Sequence, residues 1–97
     1  MTEEEFIEIQ AFCIRSQAEP SFLEALCEAG LLVVENRADK KYFPASQVPE
    51  LEKMIRFHYE MDINLEGIEV IQHLLQQMQQ MQREKLLLQQ RLSVYEW

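Results

Sequence analysis

NLEGIEVIQHLLQQMQQMQREKLLLQQRLSVY, residues 64–95, carries the longest regular pattern in the chain. On a 4,3 spacing Ile71, Leu74, Met78, Met81, Lys85, Leu88, Leu92 and Tyr95 form an apolar seam with one exception, Lys85. This is the a/d pattern of a coiled coil. Between the seam residues lie Gln72, Gln76, Gln77, Gln79, Gln80, Gln82, Arg83, Glu84, Gln89, Gln90 and Arg91, long polar side chains with good helix propensity, and no Pro or Gly follows Gly67. The spacing predicts one helix of roughly 45 Å, longer than the sixty-odd residues before it can cover. Its far end is therefore expected to meet another chain or stay in water.

Composition bounds the remainder. A chain of 97 residues makes one small domain that can bury roughly two thirds of its unfolded surface. Cys13 and Cys27 show no CxxC or Cys/His metal spacing, and the residues before them do not resemble a secretion signal. No apolar run approaches the ~18 residues of a membrane span. These features lead to the expectation of a reduced, soluble, cytoplasmic protein. The net charge of −8 argues against a general affinity for nucleic acid or anionic lipid, which needs a surplus of Lys and Arg on some face. A basic protein partner suits it better.

Outward from the long helix, Asn64 is its expected N-cap, with Glu66 in the first turn near the positive end. Upstream, Ser46 is the expected N-cap of a helix burying Val48, Leu51, Ile55 and His58. Leu31–Val34 is apolar and β-branched, the polar stretch Glu35–Lys41 follows, and Tyr42 and Phe43 come next, closed by Pro44. That predicts two short strands around a loop, a wing. Nearer the N-terminus, three glutamates precede Phe6, and Ile9, Phe12 and Cys13 share one face of a helix expected over Phe6–Arg15. Gln17 and Ala18 make a turn into a second helix that starts around Glu19-Pro20-Ser21 and buries Phe22, Leu23, Leu26 and Cys27. Gly30 sits where a left-handed residue stops a helix. Two short helices joined by a tight turn make a helix-turn-helix candidate.

Helix, turn, helix, Gly30-Leu31-Leu32, wing, helix, then a capped helix running into a coiled coil resembles the MerR family of winged-helix proteins over nearly the whole chain. Within that superfamily Phe12-Cys13, Gly67-Ile68 and Gln90-Arg91-Leu92-Ser93 are similar to pieces kept, in this order, by CbpM-like chaperone modulators. The fold class expected is mainly α: a MerR-like winged helix-turn-helix with a short β wing over residues 1–75, and a C-terminal coiled-coil arm over 76–97 continuing the fourth helix. The resemblance implies a non-enzymatic modulator that binds the J-domain of a DnaJ/CbpA-like co-chaperone and inhibits its stimulation of DnaK. The alternative is a MerR-type DNA-binding transcriptional regulator.

The second helix separates these readings. Where MerR-type activators commonly carry an Arg followed by aromatic residues, this chain has Glu24, Ala25 and Leu26, and the exposed face is expected to hold Glu19, Glu24 and Glu28. Carboxylates facing a phosphate backbone repel it and release no counterions, although the wing holds Arg37, Lys40 and Lys41. Glu19, Glu24 and Glu28 are thus the expected partner-binding surface, complementary to the basic helix that the resemblance implies in a J-domain; the plain alternative is a solvated face. Met78, Met81, Lys85, Leu88, Leu92 and Tyr95 are the expected homodimer contacts. Parallel pairing would bring Arg91 near Glu96 of the partner, antiparallel pairing fits the same pattern, and the seam alone does not choose. A further possibility packs Leu65, Ile68, Ile71 and Leu75 back on the winged domain. Cys13 and Cys27 fit small core positions, His58 and His73 lack a third ligand or a paired nucleophile, and Met54, Met61, Met78 and Met81 fit core filler. With no phosphate loop and no His-Glu-x-x-His, no catalytic residue, cofactor or metal is expected.

Overall fold

The computed structural model describes residues 4–95; Glu3 of the acidic lead-in and Glu96 of the parallel pairing lie outside them. Strand β1 (Phe6–Glu8) leads into α1 (Ile9–Ser16) and α2 (Pro20–Glu28), then β2 (Glu35–Arg37), β3 (Lys40–Pro44), a 3-10 turn (Ala45–Gln47), α3 (Val48–Tyr59) and α4 (Leu65–Tyr95). The mainly helical winged helix-turn-helix expected from the sequence is what the chain forms. A three-stranded antiparallel sheet of order β1-β3-β2 joins its N-terminal end to the wing.

Helices α1 and α2 bury the faces their spacing dictates: Ile9, Phe12 and Cys13 from the first, Phe22, Leu23 and Leu26 from the second. Gln17, in the left-handed region at φ 61°, ends α1, and Pro20 opens α2, where its missing N–H would have no helical partner. Gly30, at φ 78°, stops α2. Its N–H donates to the Cys27 carbonyl (3.0 Å) and that of Leu31 to the Leu26 carbonyl (2.9 Å), a complete Schellman closure. Leu32, Phe43, Leu51, Met54 and Ile68 complete the core, with the Phe43 ring edge-on to Phe12 at 5.3 Å.

Several expectations are corrected. Phe6–Glu8 is a strand rather than the first turn of a helix: it pairs with β3, Ile7 opposite Phe43, and packs Ile7 on the core. A long-range ladder here outweighs local helix preference. Leu31–Val34 forms no strand. Its backbone finds a substitute neighbour in the Gln47 side chain, whose Oε1 accepts from Val33 N–H (3.0 Å) and whose Nε2 donates to the Val33 carbonyl (2.9 Å). The strands instead lie inside the polar stretch taken as loop, Glu35↔Tyr42 through Arg37↔Lys40. They are joined by Ala38 and Asp39 at φ 48° and 63°, the positive φ pair of a type I′ hairpin. Both β2 faces are exposed, so hydropathy alternation was absent.

Ser46 does not cap α3: Gln47 takes the N-cap position without a side-chain bond, and the Ser46 hydroxyl donates to the Glu4 carboxylate. Asn64 does cap α4, its Oδ1 accepting the Gly67 N–H at 2.8 Å. Met54 is core, as expected, whereas Met61, Met78 and Met81 are exposed. Helix α4 buries Ile68 and Gln72 against the winged domain, and every residue from Gln76 to Tyr95 is exposed.

Candidate functional site

The outward side of α2 and the wing form one continuous surface. Helix α2 carries no Lys or Arg. Glu24 and Glu28, one turn apart, share a face and line a recess of about 140 Å³ with Ile9, Cys27, Val34 and Lys41. Glu19 stands apart from them at the N-cap, where its backbone N–H donates to the Tyr59 hydroxyl at 2.8 Å. All three glutamates are exposed, but only Glu24 and Glu28 are brought together. Two acidic residues were missed, Glu8 and Asp39, which border an adjoining recess with Pro20, Glu24, Lys40 and Lys41. The signal for Glu8 was its place in an edge strand, visible only once β1 is known to pair with β3.

The wing cations face carboxylates of their own chain. Arg37 lies 3.3 Å from Glu35, Lys40 4.0 Å from Glu8 and Lys41 3.6 Å from Glu24, and the Arg37 guanidinium also rests 4.4 Å over the Phe6 ring. Such exposed pairs add little stability. Their consequence is electrostatic: no uncompensated basic strip runs along the wing for a phosphate backbone to follow.

The other candidate surface is the arm. Met78, Met81, Leu88, Leu92 and Tyr95 are exposed large hydrophobes on one seam, Tyr95 the most open of them at 84%. Where α4 leaves the winged domain a cleft of about 860 Å³ opens, lined by Leu31, Lys53, Gln72, Leu75, Met78 and Arg83 among others. Gln72, only 8% exposed, donates through Nε2 to Glu50 Oε2 at 3.1 Å, while its buried Oε1 meets no partner among the described residues. The sequence pattern, which marks Gln72 as polar surface, gave no sign of this.

The remaining chemistry-bearing residues have structural places. His58 stacks on Phe22 (4.3 Å between centroids, 10° between planes), and its Nδ1 lies 3.1 Å from the Ile63 carbonyl oxygen. Burial pushes the Cys13 thiol up from its ordinary range, which suppresses the nucleophilic thiolate. Among the described residues no three His, Cys, Asp or Glu could hold a metal ion, and no helix is long and apolar enough to cross a membrane.

Comparison with known proteins places this geometry. Residues 7–90 match the family described as MerR HTH family regulatory protein, from β1 through most of the arm. No curated protein matches the chain.

Proposed function

The chain belongs to the MerR HTH family of regulatory proteins, and we propose that this member regulates by binding a basic protein surface, the J-domain of a DnaJ/CbpA-like co-chaperone, thereby inhibiting its stimulation of DnaK. One observation carries the reading: the surface on which a helix-turn-helix protein normally meets DNA has no cation on its second helix, and each wing cation faces a carboxylate. Glu24 and Glu28, with Glu19 at the helix start, supply the carboxylates, and Ile9, Val34 and Cys27 supply apolar floor between them. A basic helix laid there would exchange Lys41 for its own cations at Glu24, a swap in which little pairing energy is lost because the existing pair is exposed. The J-domain as partner rests on the likeness of Phe12-Cys13, Gly67-Ile68 and Gln90-Arg91-Leu92-Ser93 to chaperone modulators. No catalytic step is part of this function.

The same reading makes the protein a homodimer through Met78, Met81, Lys85, Leu88, Leu92 and Tyr95, because an open seam of this length is uncovered in a single chain. Calorimetric titration with a J-domain tests the partner. The joint change Glu24→Lys and Glu28→Lys is expected to weaken binding roughly tenfold or more, ~1.4 kcal/mol at the least; unchanged affinity would remove the acidic face from the mechanism. Tight, steeply salt-dependent binding to random duplex, with none to the J-domain, would return the protein to DNA regulation.

A further inference from the structure

We propose that the cleft at the base of the arm binds an extended, apolar peptide segment, whose backbone is read by a row of glutamine amides on α4. None of its lining residues belongs to the recesses of α2 and the wing, so the site is additional to the function proposed above. The row is Gln72, Gln76, Gln79 and Gln82, all of which line the cleft. Their 4,3,3 spacing sets them on one side of the helix. They run along about 15 Å of helix axis, the length of roughly four to five extended residues.

A primary amide carries a donor and an acceptor side by side, the complement of a peptide unit's C=O and N–H. The wall of the cleft already holds one such pairing. Gln47, which lines it, accepts the Val33 N–H at 3.0 Å and donates to the Val33 carbonyl at 2.9 Å. On α4 the amides are open. Gln76, Gln79 and Gln82 are exposed, while Gln72 is only 8% exposed and its Oε1 meets no partner among the described residues. A buried acceptor in that state is completed by an N–H. Turning the Gln72 amide toward a ligand gives up only its bond to Glu50, an exposed carboxylate that keeps Lys53 at 3.6 Å.

The rest of the lining fixes the class of peptide. Leu31, Leu75 and Met78 give an apolar wall against which alternate side chains of an extended segment can lie. Arg83 also lines the cleft and enters no ion pair among the described residues, which suits a carboxylate on the peptide. A helix would not meet the glutamine row in this way, because its N–H and C=O groups are bonded to one another. The ligand is therefore an extended segment with apolar side chains two residues apart, followed by an acidic residue.

Acetyl-Ser-Leu-Ser-Leu-Asp-amide, titrated into the full chain, tests this by calorimetry and by the side-chain amide signals of the glutamines in nuclear magnetic resonance. Saturable binding with shifts at Gln72, Gln76 and Gln79 is expected. Methylating the two Leu nitrogens removes N–H donors and keeps every side chain, and should weaken binding roughly tenfold or more. Gln72→Met should weaken the parent peptide by a similar factor, and Arg83→Ala should abolish any preference for Asp over Asn at the last position. Equal affinity for the methylated and parent peptides would overturn the backbone reading, as would full affinity in a folded Gln72→Met chain. The absence of saturable binding at millimolar peptide would overturn the site itself. Glutamine signals that move with protein concentration but not with peptide would show the cleft filled by a second copy, and would overturn it equally.

Discussion

The first eleven residues of α4 and the twenty that follow make the same helix for different reasons. From Leu65 to Leu75 the helix packs on the winged domain, with Ile68 fully buried and Asn64 bonded to its first turn. From Gln76 to Tyr95 every side chain is exposed. Both parts contain Leu and neither contains Pro, but the first, with Gly67, Ile68, Val70 and Ile71, has the poorer helix propensity and the second, rich in Gln and Leu, the better. Tertiary burial supports the first part and only propensity and i,i+4 contacts support the second, which in water is marginal for a segment of this length. A regular heptad therefore states where a helix is and leaves open what covers it.

The largest effect should come from deleting the same kind of apolar group on either side of that divide. Ile68→Ala removes a fully buried side chain and is expected to lower unfolding free energy by about 2–5 kcal/mol, measured by urea denaturation. Leu92→Ala, measured on dilute chain, should change it by less than about 0.5 kcal/mol. With rising protein concentration the Leu92→Ala penalty should grow, because association then adds to stability. Equal penalties in dilute solution would mean that the arm folds back on its own domain.

Next in size is the start of the helix. Asn64→Ala removes the acceptor for the Gly67 N–H and should lower stability by about 1 kcal/mol. Gly67→Ala refines this. Helix propensity alone would favour Ala by about 1 kcal/mol, but the new Cβ would stand 2.7 Å from Ile63 Cγ2 and 3.1 Å from the capping Asn64 Oδ1. The expected outcome is a loss despite the propensity gain, read as a lowered melting temperature; a rise would show that the Ile63 side chain yields freely.

At the end of the packed part stands Gln72. Replacing it with Met keeps length and flexibility, gives up one hydrogen bond to an exposed carboxylate and removes a buried oxygen that has no partner among the described residues. Unpaired buried groups cost more than a typical bond returns, and Glu50 keeps Lys53 at 3.6 Å. Gln72→Met is therefore expected to stabilise the chain by up to about 1 kcal/mol, a rise of roughly 4–8 °C per kcal/mol for a domain of this size. A fall would place a second hydrogen-bonding partner at Gln72.

How far the sequence carried each part follows from the range of the forces involved. Helices α1, α2 and α4, the Gly30 stop and the Asn64 cap were legible because periodicity and capping act within a turn or two. The β1 strand and the Ser46–Glu4 bond were not, because each depends on a neighbour about forty residues away, and the wing strands were displaced because both faces of β2 are exposed and show no alternation, while Gln47 stands in for a strand beside Val33. Glu24 and Glu28 were legible as a shared face of one helix. Their contact with the wing, and the arrival of Glu8 and Asp39 beside it, needed the sheet. The buried state of Gln72 was hidden for a related reason: a polar residue between seam positions looks like surface until α3 is packed against it.

The smallest effect tests the arm where it should be least sensitive. Gln80 lies on the outer side of the heptad, away from the seam, and its Nε2 donates to Glu84 Oε1 at 3.3 Å. Such a pair contributes about 0.2–0.5 kcal/mol to an isolated helix, and Ala returns a similar amount in intrinsic propensity. Gln80→Ala should therefore leave the helicity read by circular dichroism nearly unchanged, in dilute chain and in concentrated chain alike. A seam residue cannot pass that double test, because the concentrated sample buries it. If Gln80→Ala instead cost as much as about 1 kcal/mol, Gln80 would have a partner beyond its own helix, and the boundary between the packed and the open part of α4 would have to move outward by at least a turn.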